Sequence, residues 1–209
     1  IPGHATNRIN AAYAFGGADL LVATIQQNLG ISVNNYVEIG FGGFARLVDT
    51  LGGVDIDFAH AARDSKSGLQ VEAGTQTLDG AEAIAFVRSR KYQELRNGSW
   101  KSTGGGDIAR TGRQQALLLA IFDEVADAGA FDLVSFANAF AEEVTADEGL
   151  TPGVILDLGR AGLALERATI HTATLPVRNS SEGGRSYVVM TGDADGVISA
   201  FIAGRPFPS

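Results

Sequence analysis

The residues whose types and spacing suit chemistry are concentrated in one arginine-rich segment near the middle of the chain. Arg88 and Arg90 are separated by one residue, and Arg110 and Arg113 lie three apart. Asp107 stands just ahead of the second pair. Guanidinium groups bind phosphate oxygens through two parallel hydrogen bonds and stay charged at any accessible pH. The pattern therefore predicts an anion site, suited to phosphate or pyrophosphate.

Arginine pairs also occur on solvated surfaces beside acidic residues, and either pair alone favours that interpretation. Both pairs together, next to glycines 104–106 and a helix predicted over 108–125, favour an anion site, because helix N-termini attract anions. Gln114 lies one turn beyond Arg110 and shares its face. Asp107 stands where a helix N-cap belongs, so a capping role and a chemical role are equally open for it. In an extended run, Arg88 and Arg90 would also share one face.

The bulk composition excludes several classes of function. The formal net charge is -8, which argues against a nucleic-acid binder, since such a protein needs a basic face. The chain has no cysteine, so it has neither disulfides nor thiolate metal sites. The histidines lack metal-ligand spacing, and neither a P-loop nor a G-x-S-x-G signature is present.

The chain shows no targeting signal. No apolar run approaches the ~20 residues that a membrane-spanning helix needs. The chain opens on a turn signal, Pro2-Gly3, without Met and without the pattern of a signal peptide. We therefore expect a fragment whose targeting segment is missing.

Hydrophobic periodicity predicts the elements that position these residues. A helix over 11–29, interrupted at Gly16-Gly17, precedes a strand at 36–39, a helix at 44–51 and a strand at 54–58. This β-α-β order favours an α/β sandwich. No composition break marks a linker, so we expect one domain over 1–209.

The rest of the chain gives a less regular pattern. Residues 60–80 are expected to be mostly irregular, with a short extended piece at 69–72 and with Asp79 capping a short helix through Ala85. Residues 91–106 are expected to form a long mobile loop with a glycine hinge at its end. The remaining predictions are helices at 108–125 (with Leu117, Leu118, Ile121, Phe122 and Val125 facing the core), 131–144, 151–165 and 193–203, and strands at 168–177 and 187–190.

Several short motifs in order resemble the LytR-CpsA-Psr (LCP) family of bacterial cell-wall enzymes. They are NRINAAYAFGG at 7–17, YVEI at 36–39, LGGVD at 51–55, LDG at 78–80, VRSR at 87–90, and Asp107-x-x-Arg110-x-x-Arg113-Gln114-Gln115. Each motif is weak alone, but their order is specific. The resemblance covers residues 1–145 well and the remainder more loosely.

The resemblance implies a three-layer α-β-α sandwich around a central mixed β-sheet, outside the cytoplasmic membrane and anchored there by an N-terminal helix. It implies transfer of a glycopolymer from a polyprenyl-pyrophosphate carrier onto peptidoglycan. The Ala- and Gly-rich, Lys-poor composition favours arabinogalactan or a teichoic-acid-like chain as that polymer. Nucleic acid is not among the expected partners. By the same resemblance, the pyrophosphate is bound by Arg8, Arg88, Arg90, Arg110, Arg113 and Gln114. Asp107, Arg88 and Arg110 are the expected catalytic residues.

The resemblance also implies a Mg²⁺ ion, since phosphoryl transfer needs charge neutralisation on the phosphate oxygens. The expected aspartate ligands of this ion would precede Ile1, together with strands of the central sheet. Two alternatives to the transferase stay open. One is a pyrophosphatase that acts on the lipid carrier, and the other is a non-catalytic module that binds polyprenyl phosphate or glycopolymer.

Overall fold

Helices and short strands alternate along the chain in the computed structural model, which describes residues 1–104, 106–127, 130–165, 169–182 and 184–208. In chain order the elements are α1 (Ala11–Leu29), β1 (Val37–Ile39), α2 (Phe41–Thr50), β2 (Val54–Phe58), β3 (Ala62–Asp64), β4 (Leu69–Val71), β5 (Gly74–Leu78), α3 (Gly80–Arg88), β6 (Gln93–Arg96), β7 (Ser99–Ser102), α4 (Gly106–Asp127), α5 (Ala130–Glu143), β8 (Val144–Ala146), α6 (Pro152–Leu163), β9 (Val177–Glu182), β10 (Arg185–Met190) and α7 (Ala194–Ile202). Contacts divide the chain into two units.

The first unit combines Ile1–Tyr36 with His171–Ser209. Its helix α1 is kinked at Gly16 and Gly17, as predicted, and Gly17 has a φ of 65° that a side chain would strain. Strands β9 and β10 pair antiparallel. The strand predicted over 168–177 is wrong for residues 170–176, which form no regular element, and residue 168 lies outside the described residues. Proline lacks an N–H for a strand ladder, and Pro176 immediately precedes β9.

The second unit, Val37–Ile170, contains the arginine-rich segment. Strand β2 pairs antiparallel with β5, and its Val54, Ile56 and Phe58 face inward in strict alternation. Helix α4 packs on β2, and α3 packs between α2 and α4. The described strands pair antiparallel in four small sheets, of which the largest has the order β4-β3-β6-β7.

The prediction of a mobile loop over 91–106 is wrong for most of that range. Strands β6 and β7 form a hairpin in which Leu95 pairs with Trp100. Asn97 and Gly98 form its turn with φ angles of 52° and 73°. An Asn-Gly pair with positive φ at both positions suits the tight turn of a twisted hairpin, and this signal outweighed the polar composition of the segment. Strands β3 and β5 likewise lie in the range expected to be mostly irregular.

The helix predicted over 108–125 is confirmed as α4, and of the five residues predicted on its core face only Leu118 is exposed. Leu117 is 1% exposed, whereas the adjacent Leu118 is 61% exposed. Ile121 packs against the core cluster beside Leu117. Successive residues on a helix point about 100° apart, and here the second of the two leucines falls outside the buried stripe.

Candidate functional site

One carboxylate, that of Asp107, joins two arginines from different elements. The Nε of Arg90, in the turn after α3, lies 2.8 Å from Oδ1 of Asp107. A terminal nitrogen of Arg110, one helical turn along α4, lies 3.2 Å from the same oxygen. The side chains of Arg90 and Asp107 are more than half exposed. Exposed ion pairs contribute ~0–1 kcal/mol, so an incoming anion can displace Asp107 from these arginines.

Asp107 does not cap α4, contrary to one of the two roles open to it. The helix begins at Gly106, which places Asp107 in the first turn. Among the described residues, its carboxylate pairs with Arg90 and Arg110. The glycine hinge predicted over 104–106 includes residue 105, which lies outside the described residues.

Arg88 ends a helix and does not lie in the extended run predicted for it. Helix α3 begins with a capping box between Asp79 and Glu82 and continues through Arg88, beyond the predicted end at Ala85. Ser89 then turns to extended backbone. The prediction that Arg88 and Arg90 share one face of an extended run is therefore wrong. The guanidinium carbon of Arg88 lies 5.1 Å from the ring centre of Phe41.

Arg113 connects α4 to the turn that carries Arg90. Its terminal nitrogen donates to the carbonyl oxygen of Ser89. Its guanidinium carbon lies 4.8 Å from the ring centre of Tyr92. Burial lowers the pKa of Arg113, the charges of Tyr92 and Asp64 oppose that shift, and Arg110 adds to it. These contacts give Arg113 a supporting position, and its predicted contact with phosphate stays a prediction.

The Nε atoms of Arg110 and Arg113 are both buried without a hydrogen-bond partner among the described residues. A buried N–H group without an acceptor is costly by ~1–3 kcal/mol.

Asp64 is the residue of this region that the sequence did not reveal. Its side chain is 1% exposed. Oδ2 accepts hydrogen bonds from Ser89 Oγ at 2.7 Å and from the backbone N–H groups of Arg90 and Lys91 at 2.9 and 2.7 Å. Burial by itself would raise the pKa of Asp64, but these bonds and one from the Lys66 N–H outweigh it and lower the pKa to about 2. The one available signal was the alternation that aligns Asp64 with Ala62 on the inner face of β3.

The remaining two predicted pyrophosphate ligands are Gln114 and Arg8. Gln114 is exposed on α4, next to Arg113. Arg8 belongs to the first unit, where its guanidinium carbon lies 5.9 Å from the ring centre of Tyr187. Phosphate contacts by Arg8 and Gln114 stay predictions.

Possible metal ligands do not cluster in threes among the described residues. No three His, Asp or Glu side chains in the described part of the chain lie close enough together to hold a metal ion. Asp107 is shared by two guanidinium groups, which disfavour a second cation beside it. Across the same residues, no helix has the length and hydropathy to cross a membrane.

The fold and the arginine cluster define the class of protein. The chain belongs to the LytR-CpsA-Psr family: the model described as the LytR_cpsA_psr family matches residues 1–199. The resemblance drawn from the motifs is therefore confirmed, including its extension past residue 145. The match also runs through both units, while the prediction of a single domain over 1–209 stays a prediction.

Individual relatives agree with this assignment. The chain is 31% identical over 185 residues to the probable cell wall biosynthesis protein LcpB of Corynebacterium glutamicum, covering 87% of this chain and 41% of LcpB. It is 37% identical over 139 residues to the polyisoprenyl-teichoic acid–peptidoglycan teichoic acid transferase TagU of Halalkalibacterium halodurans, covering 66% of this chain and 41% of TagU. The chain thus spans less than half the length of these two curated relatives.

A solved structure confirms the fold class. The LytR-Csp2A-Psr enzyme from Actinomyces oris superposes with a TM-score of 0.79 at 25% sequence identity, covering 95% of this chain and 74% of the other. The α/β class predicted from the sequence, that of the LCP domain, is therefore confirmed.

Proposed function

We propose that this protein transfers a glycopolymer from a polyprenyl-pyrophosphate carrier onto peptidoglycan. One observation carries the proposal: Arg90 and Arg110 converge from different elements on the exposed carboxylate of Asp107. Among its relatives, TagU is named as a transferase that joins teichoic acid to peptidoglycan. The cluster supplies the positive charge that such a transfer needs.

The proposed reaction makes one bond to phosphorus and breaks another. A hydroxyl oxygen of peptidoglycan attacks the phosphorus on the glycopolymer side of the pyrophosphate. The bond from that phosphorus to the bridging oxygen breaks, and polyprenyl phosphate leaves. The product is a phosphodiester between glycopolymer and peptidoglycan.

The residues take three kinds of role in this proposal. Arg88, Arg90 and Arg110 neutralise charge on the non-bridging oxygens and on the leaving phosphate. Asp107 accepts the proton of the attacking hydroxyl once the pyrophosphate has taken its place between the arginines. Arg8, Arg113 and Gln114 complete the proposed set of pyrophosphate contacts.

The setting of the reaction is part of the proposal. The names of the relatives, which refer to cell wall biosynthesis and peptidoglycan, support a place in the cell envelope. We place the domain at the outer face of the cell membrane, where the carrier presents its polymer. Mg²⁺ would supply further charge neutralisation, and the dependence of turnover on added Mg²⁺ tests this part.

The test is a reaction of the intact protein with a saccharide linked to polyprenyl pyrophosphate, with and without a peptidoglycan oligomer. Mass spectrometry would follow the products. We expect a phosphodiester-linked product that forms only with the acceptor. Release of saccharide phosphate without any acceptor would instead identify a pyrophosphatase. Tight binding of the carrier without turnover in either reaction would identify a binding module.

A further inference from the structure

The turn between α3 and β6 is held from the inside by one buried carboxylate. Both oxygens of Asp64 are occupied, and its donors come from two separate segments of the chain. Oδ1 accepts from the N–H of Lys66, 2.8 Å away, in the turn after β3. Oδ2 accepts from Ser89 and from the N–H groups of Arg90 and Lys91. The carboxylate thus ties the turn after β3 to the turn that follows α3.

This second turn carries a principal part of the arginine cluster. Arg88 precedes Ser89, and the N–H that Asp64 binds is the backbone N–H of Arg90 itself. The side chain of Arg90 leaves the same residue toward Asp107. A shift of the backbone at Arg90 therefore moves its guanidinium away from the point where it meets Arg110.

We propose that Asp64 is a positioning residue, which fixes the turn at 89–91 so that Arg90 and Arg110 are preorganised to bind one pyrophosphate. The proposal rests on the function proposed above. Asp64 itself is too deeply buried to touch a substrate. It acts through the backbone, and Arg113 supports the same turn through the carbonyl of Ser89.

Loss of the Asp64 carboxylate has opposite expected effects on anion binding, depending on whether its charge or its hold on the turn matters more. Asp64 is an anion near the cluster, so its removal alone would strengthen the binding of another anion. Loss of its hydrogen bonds would release the turn and weaken binding, since small misplacements of binding groups have large effects. Weaker binding on loss of the charge therefore identifies positioning.

The experiment measures the dissociation constant of inorganic pyrophosphate by calorimetry, using the intact wild-type protein and three variants. Asp64→Asn removes the charge and disturbs the hydrogen bonds, and we expect binding weakened by between about tenfold and about a hundredfold. Ser89→Ala removes one of the four bonds, and we expect an effect on the order of threefold. Asp57→Asn is the matched control, because it removes an exposed carboxylate from β2, and we expect it to leave binding unchanged.

Two further readouts separate this proposal from a purely structural role. Thermal unfolding shows that each variant is folded at the temperature of the titration. Amide NMR signals of Arg90 and Lys91 should move upfield in Asp64→Asn, since their N–H groups lose a charged acceptor. Wild-type affinity in both Asp64→Asn and Ser89→Ala would overturn the proposal and leave the proposed function standing. Failure of the wild type to bind pyrophosphate would overturn the proposed function, and the role of Asp64 with it.

Discussion

At the scale of single residues, the site is one exposed carboxylate that two arginines share, so positive charge is in excess. Asp107 lies between Arg90 and Arg110 at 2.8 and 3.2 Å. A surface pair of the same spacing occurs on α6, where Arg160 lies 3.4 Å from Asp157. The two pairs differ in setting, since among the described residues two arginines meet Asp107 and one meets Asp157. The pair on α6 therefore provides matched controls for the site.

Asp107→Asn should slow transfer by ~10²–10⁴-fold, because an amide cannot accept the proton of the attacking hydroxyl. The thermal midpoint should change little, since exposed ion pairs contribute ~0–1 kcal/mol. Initial rates at saturating carrier measure the effect. Asp157→Asn should retain the wild-type rate. A rate for Asp107→Asn within about twofold of the wild type would remove the proton-accepting role from Asp107.

Asp64 should give the protein a component of stability that depends on pH. Its pKa in the folded protein is lowered to about 2, so the unfolded chain binds its proton at higher pH. The stabilisation is fully present above the ordinary pKa near 4 and is lost as the pH falls toward 2. The shift corresponds to about 2 kcal/mol at neutral pH.

Urea unfolding of the wild type and Asp64→Asn at pH 7, 4 and 3 tests this prediction. The wild type should be the more stable at neutral pH, and the difference in unfolding free energy should shrink below pH 4. Comparing two proteins that differ at one position cancels the titration of all other groups. A difference in unfolding free energy that stays constant from pH 7 to pH 3 would contradict the predicted contribution of Asp64.

At the scale of elements, the site depends on the close approach of α2 and α3. The N–H of Gly80 donates to Asp49 Oδ1 at 2.8 Å. A Cβ on Gly80 would lie 2.2 Å from the carbonyl oxygen of Ala45. Helix α3, which ends in Arg88, can therefore reach this position only with glycine at its start.

Gly80→Ala should lower the unfolding free energy by ~1–3 kcal/mol, because backbone must shift to relieve the contact. Gly112→Ala is the matched change on α4, where a Cβ would meet nothing within 4 Å. It should raise stability by ~0.5–1 kcal/mol through helix propensity. Chemical denaturation measures both. Equal effects of the two substitutions would show that the approach of α3 to α2 is not tight.

At the scale of the whole molecule, the sequence predicted those structural features that depend on a local pattern of residues. The capping residue Asp79, the kink at Gly16-Gly17 and the periodicity of α4 each occur within a few residues, and the structure confirms them. The pairing of three-residue strands such as β3 and β4 leaves no such pattern. The bonds from Asp64 to Ser89, Arg90 and Lys91 span 25–27 residues, so only the folded chain reveals them.

The candidate site shows the same contrast between what local pattern predicts and what only the folded chain reveals. The arginines and Asp107 were predicted from their residue types and spacing. Their geometry was not, because Arg90 meets Asp107 only after the hairpin of β6 and β7 has brought the two ends of residues 90–107 together. Arg113 was predicted as a phosphate ligand, and its contact with the Ser89 carbonyl depends on the position of a turn that no local pattern specifies.

The central claim is that the cluster around Asp107 performs the transfer. The most direct test compares the formation of phosphodiester-linked product by the wild type, Arg110→Ala and the matched surface variant Arg160→Ala. Removal of one preorganised charge should slow transfer by ~10²–10³-fold in Arg110→Ala. Arg160→Ala should match the wild type. Equal rates for all three proteins would contradict the assignment of the reaction to this site.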